Sequence, residues 1–312
     1  MARHISGIQH TIRAAGYEAR IASVGATLRT LTLNGTDIIA PFDADEPRPA
    51  MRGAALIPWP NRIADGHYEI EGVGYQLPLT EPLLGNAIHG LAASLDFRSV
   101  SHTASEVVLI GTVEPQTGYP WQLDIGVTFS LGADGLTQEI RVINNSSSSA
   151  PVGIGGHPYV LAGPDEAGAV DGWTLHVPAE AVLRISEDRL LPLAIVPTKD
   201  EPGLDFRSPR SLTGLAVNHA FTDLGRDEDG ISRVSVVGES GGGVEVSWDT
   251  RCPWVQVYTS DVADGASYRH AVAIEPMTCP PDAFNSKRDL HMVAPHSSVA
   301  AGWSIRALRE RS

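Results

Sequence analysis

Residues 122–131, QLDIGVTFSL, alternate polar or small residues with apolar residues over the whole segment. Because successive side chains of a β-strand point to opposite faces, a period of two predicts a strand with one buried face. The turn-forming residues GADG follow at 132–135, and Leu136 to Ile143 then supplies the returning strand of a hairpin. This stretch therefore predicts antiparallel β-structure.

Short runs of the same kind recur along the chain, whereas convincing helical periods are scarce. The runs are Ile21 to Leu33, Val107 to Val113, Trp173 to Val177, Val234 to Val237, Val244 to Trp248, Val255 to Thr259 and His270 to Ile274. With 31 glycines and 22 prolines available for turns, they predict an all-β fold, a large antiparallel sandwich or barrel. No linker long enough to separate domains interrupts them, so residues 1–312 are expected to form a single domain.

The composition excludes several classes of function. The formal net charge is −14, and no basic stripe is present, which argues against nucleic acid as a partner. No apolar run approaches the roughly 18–20 residues needed to cross a membrane. The first twenty residues lack the apolar region of a secretory signal, so a cytoplasmic location is expected. In that compartment Cys252 and Cys279 are expected to be unpaired thiols.

Four clusters place polar residues among turn formers and are candidates for a functional site. They are PWPNRI at 58–63 with Asp65-Gly66, NAIHG at 86–90, GIGGHPY at 153–159, and IEPM at 274–277 continuing to PPDAFN at 280–285.

His157 and Glu275 are the strongest acid–base candidates in these clusters. The glycines before His157 allow a sharp turn and close approach to a ligand, and its ordinary pKa of about 6.5 suits proton donation near neutrality. Glu275 ends an apolar run, so it is expected at the rim of the core, where partial burial raises a carboxyl pKa and improves a general base. Without a catalytic role, His157 would be a hydrogen-bonded turn histidine and Glu275 a rim glutamate paired with an arginine. Without a binding role, Arg62 would form a surface salt bridge and His89 would be a loop histidine held by hydrogen bonds.

Other motifs carry no chemistry. The sequence GESGG at 238–242 matches the pattern of a nucleophile elbow, but a strand-like run, Val244 to Trp248, follows where that motif needs a helix. We therefore expect a hairpin turn there. The eleven histidines include no pair with typical zinc spacing, and no phosphate-binding or dinucleotide-binding glycine motif occurs. No cofactor and no metal are predicted.

Taken in order, the four clusters resemble the aldose 1-epimerase (galactose mutarotase) family. The matching elements are Asn61-Arg62 before an Asp-Gly turn, His89-Gly90, His157-Pro158-Tyr159, residues 255–259 (VQVYT), Glu275-Pro276 and residues 281–285 (PDAFN). They span nearly the whole chain. The resemblance implies a large antiparallel β-supersandwich, an isomerase that interconverts the α and β anomers of a free sugar, and no cofactor.

The resemblance also implies roles for single residues. His157 matches the general acid that protonates the ring oxygen, and Glu275 matches the general base that deprotonates the anomeric hydroxyl. The expected contacts to the sugar are Arg62, His89, Asn61, Trp59, Tyr159, Asn218 and Gln256. Asn218 departs from the pattern, because family members commonly carry an aspartate there. An amide lacks the charge and adds a donor, which affects substrate preference more than chemistry.

Three alternatives stay open at this point. A glycoside hydrolase or lyase would need a second carboxylate, and the clusters offer none beside Glu275. A non-catalytic sugar-binding protein would not need both an acid and a base. An epimerase of a phosphorylated or sulfonated sugar would need extra cations, for which Arg52, Arg62 and Arg288 are available. The sequence names neither the sugar nor the oligomeric state.

Overall fold

A computed structural model describes residues 3–261 and 265–309. Within them the backbone forms 27 strands, five short 3-10 segments and one helical turn. The strands are β1 (Gln9–Ala14), β2 (Tyr17–Ala22), β3 (Thr27–Leu33), β4 (Thr36–Asp37), β5 (Ala55–Leu56), β6 (Arg62–Ala64), β7 (His67–Ile70), β8 (Val73–Gln76), β9 (Asn86–Ile88), β10 (Arg98–His102), β11 (Glu106–Val113), β12 (Leu123–Gly132), β13 (Gly135–Asn144), β14 (Ala150–Val152), β15 (Gly155–Gly156), β16 (Tyr159–Val160), β17 (Thr174–His176), β18 (Ala179–Ile185), β19 (Pro192–Pro197), β20 (Arg210–Ser211), β21 (Asn218–Leu224), β22 (Ser232–Val237), β23 (Gly243–Trp248), β24 (Trp254–Tyr258), β25 (Val272–Met277), β26 (His291–Val293) and β27 (Ser298–Leu308). The helical turn α1 is Ala283–Ser286, and the 3-10 segments are Pro49–Met51, Ala92–Ser94, Ala169–Gly172, Thr198–Asp200 and Gly265–Ser267.

Two large antiparallel sheets dominate the fold. One has nine strands in the order β10-β11-β12-β13-β27-β23-β22-β17-β20. The other has eight, in the order β19-β18-β21-β24-β25-β15-β5, with β16 also pairing with β25. A four-stranded sheet, β1 to β4, packs against β11, β12 and β13. Among the described residues no helix is long and apolar enough to cross a membrane.

The hairpin predicted from residues 122–143 is confirmed. β12 and β13 pair antiparallel from Leu123 opposite Asn144 to Gly132 opposite Gly135. The odd-numbered residues of β12 are buried up to Leu131, and those between them are half-buried or exposed. The all-β prediction is therefore confirmed. The GESGG segment is also the expected turn, since it joins β22 to β23 and closes with a hydrogen bond from Gly238 N–H to Gly242 O.

The main core lies between the sheets, and the eight-stranded sheet turns a second face away from it. Val255, Val257 and Ile274 belong to the main core. The residues that alternate with them point the other way, where Trp254 and Met277 form a small separate apolar cluster with Ala220 and Leu183. This second face carries the polar residues of the candidate site.

Replacing Phe129, which is fully buried in β12, tests the orientation of this strand. Phe129→Ala is expected to lower the free energy of unfolding by about 3–5 kcal/mol, because it removes a core ring and leaves a cavity. Ser130→Ala, one residue along on the opposite face, is expected to change it by less than about 0.5 kcal/mol. Urea denaturation of both variants measures the difference, and similar losses in both would contradict the assigned faces.

Candidate active site

Strand pairing brings His157 and Glu275 together. β15 and β16 both pair with β25, with Gly155 opposite Met277 and Tyr159 opposite Ala273. His157 lies midway between these pairs, at the register position that faces Glu275. Pairs directly opposite each other in an antiparallel sheet have neighbouring side chains on one face. The histidine and the glutamate, 118 residues apart in the numbering, are therefore cross-strand neighbours.

The two side chains form a buried contact. His157 Nε2 lies 3.4 Å from Glu275 Oε1, and the two side chains are only 6% and 3% exposed. Glu275 lies inside β25 and is almost fully buried, so the expected position at the rim of the core is wrong. The strand begins at Val272 and continues through the glutamate instead of ending before it.

Burial shifts both titrations towards the uncharged forms. It raises the pKa of Glu275 to about 8, a shift that the charge of Arg62 partly opposes. It lowers the pKa of His157 to about 3. These shifts favour one proton on the glutamate and a neutral imidazole. This form has the same number of protons as an imidazolium beside a carboxylate.

Aromatic stacking fixes the plane of the His157 ring. The ring of Tyr159 lies nearly parallel to it, with centroids 5.1 Å apart and 14° between the planes. The Tyr159 hydroxyl donates to Ala50 O at 3.4 Å. The guanidinium of Arg52 also lies over the Tyr159 ring, 5.6 Å from its centroid. The Nη2 group of Arg52 in turn lies 3.2 Å from His270 Nε2. Tyr159, Arg52 and His270 thus form a connected set of side chains that restrains the His157 ring.

His89 approaches His157 from a separate two-stranded sheet, β6 paired with β9. The two imidazoles meet edge to face with centroids 5.1 Å apart. Asn61 N–H donates to His89 Nδ1 at 3.2 Å, so a neutral His89 carries its proton on Nε2. Both His89 and Gly90 have positive φ, 62° and 74°. A Cβ at Gly90 would lie 2.2 Å from Ile57 O, so this turn requires glycine.

Arg62 is held by a two-pronged ion pair with Glu81. Its Nε and Nη2 groups each donate to one carboxylate oxygen at 2.8 Å. Asn86 Nδ2 donates to the same carboxylate at 3.0 Å. Burial tends to raise the pKa of Glu81, but the hydrogen bonds from Arg62 and Asn86 lower it overall. The remaining Nη1 of Arg62 lies 3.4 Å from Asn61 Oδ1 and is the least engaged edge of the guanidinium.

Gln256 and Asn218 continue the row of polar residues along the sheet. Gln256 lies directly opposite Glu275 across β24 and β25. Its Nε2 donates to Asn218 Oδ1 at 2.7 Å, which leaves the amide nitrogen of Asn218 as the group it can offer. A cleft of about 500 Å³ is lined by Asn218 and Tyr258 together with Ile185, Ser186, Glu187 and Leu190, but by neither His157 nor Glu275.

Trp59 is buried in the main core, where its ring packs edge to face on Phe284 at 5.7 Å. Its indole N–H has no hydrogen-bond partner among the described residues. The same holds for His157 Nδ1 and Glu275 Oε2. A buried polar atom without a partner is uncommon in proteins, and such atoms are candidates for contact with a ligand.

Sequence reasoning missed the residues that support the site. Glu81 stands alone before a proline, Arg189 lies in a loop more than a hundred residues from its partners, and Asp165 and His270 form a pair behind Arg52. Arg189 and Asp165 pair with residues about a hundred positions away, and the contacts of Glu81 with Arg62 and Asn86 follow no recognised motif. Among the described residues, no group of three or more His, Cys, Asp or Glu side chains is arranged to hold a metal ion.

The fold and the site together define a β-supersandwich protein with a buried histidine–glutamate pair on one sheet. A family model described as aldose 1-epimerase matches residues 9–306. The chain belongs to the aldose 1-epimerase family and is an isomerase of that family.

Relatives and solved structures agree with this membership. The protein YihR of Escherichia coli K12, whose function is uncharacterised, is 35% identical over 288 residues, covering 92% of this chain and 89% of its own. Human galactose mutarotase is 27% identical over 224 residues, covering 68% and 63%. The crystal structure of an aldose epimerase homologue from C. elegans superimposes with a TM-score of 0.84 at 22% identity, covering 97% and 99% of the two chains.

The raised pKa of Glu275 predicts how the free energy of unfolding changes with pH. The unfolded chain releases this proton near pH 4.5, whereas the folded protein holds it to about pH 8. Raising the pH between these values therefore favours the unfolded state, by up to about 1.4 kcal/mol per pH unit. Glu275→Gln lacks this proton, so its stability relative to the native protein is expected to increase from pH 5 to pH 8.

Urea denaturation at both pH values measures this difference. Glu180→Gln is the matched control, because Glu180 is an exposed carboxylate of β18 paired with Arg207. The control is expected to keep the same small difference from the native protein at both pH values. A difference for Glu275→Gln that is equally constant would show that the carboxyl pKa is not raised.

Proposed function

We propose that this protein interconverts the α and β anomers of a free aldose, with His157 as general acid and Glu275 as general base. The observation that carries the proposal is the buried contact between His157 Nε2 and Glu275 Oε1 at 3.4 Å. The ring oxygen and the anomeric oxygen of a pyranose are bonded to the same carbon, so they are close neighbours. Two catalytic atoms side by side can each reach one of them.

The reaction needs two proton transfers at once. Glu275 takes the proton of the anomeric hydroxyl while His157 donates to the ring oxygen, and the bond between the ring oxygen and C1 breaks to give the open-chain aldehyde. C1 then rotates about its bond to C2, and the reverse transfers close the ring as the other anomer. Positioned acid–base groups of this kind each increase the rate of reaction on the order of 10²–10⁴-fold.

The surroundings favour ring opening once the sugar is bound. The reactive complex has an imidazolium and a carboxylate, and ring opening converts them to a neutral imidazole and a carboxylic acid. Burial favours this uncharged pair, since it lowers the pKa of His157 and raises that of Glu275. Sugar hydroxyls that hydrogen-bond to Glu275, together with the charge of Arg62, stabilise the carboxylate form at the start.

The other predicted contacts surround this pair in the proposed complex. His89 Nε2–H and the Nη1 edge of Arg62 donate to sugar oxygens near C1, and the indole N–H of Trp59 gains a partner. Gln256 and Asn218 lie on the side of Glu275 away from His157, and in the proposed complex they hold the hydroxyls farther from C1. Tyr159 acts mainly on His157, since its ring stacks on the imidazole and its hydroxyl bonds to Ala50.

The contacts support a free aldose over the alternatives. Glu81, the carboxylate in this region that a hydrolase could use, has both oxygens bonded to Arg62. Of the arginines available for an anionic substituent, Arg62 is bonded to Glu81, Arg52 to Pro41 O and His270, and Arg288 is exposed after α1. A single small-molecule sugar is the proposed partner, acting without a cofactor.

Optical rotation tests the proposal directly. Freshly dissolved α-D-glucose and α-D-galactose are each followed with native protein, His157→Asn and Glu275→Gln. The native protein is expected to accelerate mutarotation of at least one sugar, and each variant to lower kcat/KM by on the order of 10²–10⁴-fold. His176→Asn, a half-buried histidine of β17 in the other large sheet, is expected to match the native protein.

The outcomes separate the alternatives. Full activity in either variant would show that the acid–base assignment is wrong. Acceleration of neither sugar, but of a phosphorylated or sulfonated aldose, would favour a modified substrate. Binding of one anomer without acceleration of any sugar would favour a non-catalytic sugar-binding protein. Release of nitrophenol from nitrophenyl glycosides would favour a hydrolase.

A further inference from the structure

Arg189 lies in the loop between β18 and β19, far along the chain from the candidate active site, yet it contacts a loop of that site. Its Nε donates to Leu84 O at 3.0 Å, and its Nη2 donates to Gly85 O at 2.9 Å. Nη2 also contacts Asp65 Oδ1 at 2.8 Å. One guanidinium thus joins two consecutive carbonyls of the segment 81–86 to the turn after β6.

The segment 81–86 is a closed loop. Glu81 N–H donates to Asn86 O at 2.9 Å, and Asn86 N–H donates to Glu81 O at 3.2 Å. The Asn86 side chain is fully buried and connects Glu81 to the Arg189 loop. Its Nδ2 contacts Glu81 Oε2 at 3.0 Å and Arg189 O at 3.1 Å.

The Glu81 carboxylate in turn sets the direction of Arg62. Because the Nε and Nη2 groups of Arg62 both donate to Glu81, the plane and rotation of the guanidinium are fixed. The Nη1 edge is then the one left for a ligand. An arginine without this carboxylate would keep its charge but lose its orientation, because its long side chain has many rotamers.

We propose that Arg189 is a positioning residue for Arg62: it clamps the loop 81–86 and so keeps Glu81 on the guanidinium that binds the substrate. The importance of this clamp for sugar binding rests on the proposed function. Arg189 does not touch the sugar in this arrangement. It acts through Asn86 and Glu81, and its effect is on affinity and not on the proton transfers.

The test uses Arg189→Met, which keeps the length of the side chain and removes its donors. Arg184→Met is the matched control, because Arg184 is an arginine of β18 in an exposed ion pair with Glu201. Binding of 1,5-anhydro-D-glucitol and 1,5-anhydro-D-galactitol, which cannot open, is measured by calorimetry. Mutarotation of D-glucose and D-galactose gives kcat and KM.

Arg189→Met is expected to weaken binding and raise KM about tenfold, the size of one lost charge-assisted hydrogen bond, while kcat changes less than about twofold. Arg189→Lys, which keeps the charge but not the fork, is expected to lie between it and the native protein. In the Arg62→Met variant, adding Arg189→Met is expected to lower the affinity no further, because Arg189 acts on the sugar only through Arg62. Arg184→Met is expected to match the native protein.

The Nε–H resonance of Arg62 provides a readout that does not require activity. It is assigned by its absence in Arg62→Lys, and its hydrogen exchange is expected to be slow in the native protein and in Arg184→Met. In Arg189→Met exchange is expected to be at least about tenfold faster, as Glu81 is released. Unchanged exchange, or faster exchange with unchanged affinity, would overturn the proposal. If the native protein binds and isomerises neither sugar, the proposed function fails, and the exchange measurement still decides whether the clamp exists.

Discussion

The register between β15–β16 and β25 is the constraint on which the site depends. It places His157 opposite Glu275, while the pairing of β24 with β25 places Gln256 on the other side of the same glutamate. A shift of one residue in either pairing would turn one partner to the opposite face, into the apolar core. The geometry of the His157–Glu275 pair is thus set by hydrogen bonds of the backbone.

Burial around this row works together with the register. In water a carboxyl group releases its proton near pH 4.5 and an imidazolium near pH 6.5, so both groups are charged between these values. Between two β-strands, with little access to solvent, the same groups favour their uncharged forms. The positive charge of Arg62 lowers the pKa of Glu275 only in part, because the Glu81 carboxylate balances that charge. Burial therefore reverses the ordinary order of the two pKa values, so the proton of the pair rests on Glu275 instead of His157.

Much of the fold and the centre of the site could be predicted from the sequence. The alternation in residues 122–131 predicts β12 correctly, because one face of this strand is buried and the other is not. The sequence predicts Glu275 at the rim of the core because an apolar run precedes it, but β25 is buried on both faces and shows no alternation. Glu81 and Arg189 could not be found, because their contacts come from loops that meet only in the folded protein.

The shared proton of His157 and Glu275 has a further consequence. In the proposed reaction, ring opening and reclosure leave the pair with the proton it began with, so a complete turnover requires no donor or acceptor from outside. The pair lies where bulk water has little access, and it needs none for the chemistry. Each proton that is transferred in ring opening returns to its original group in reclosure, so the proposed turnover does not depend on a buffer molecule as proton donor or acceptor.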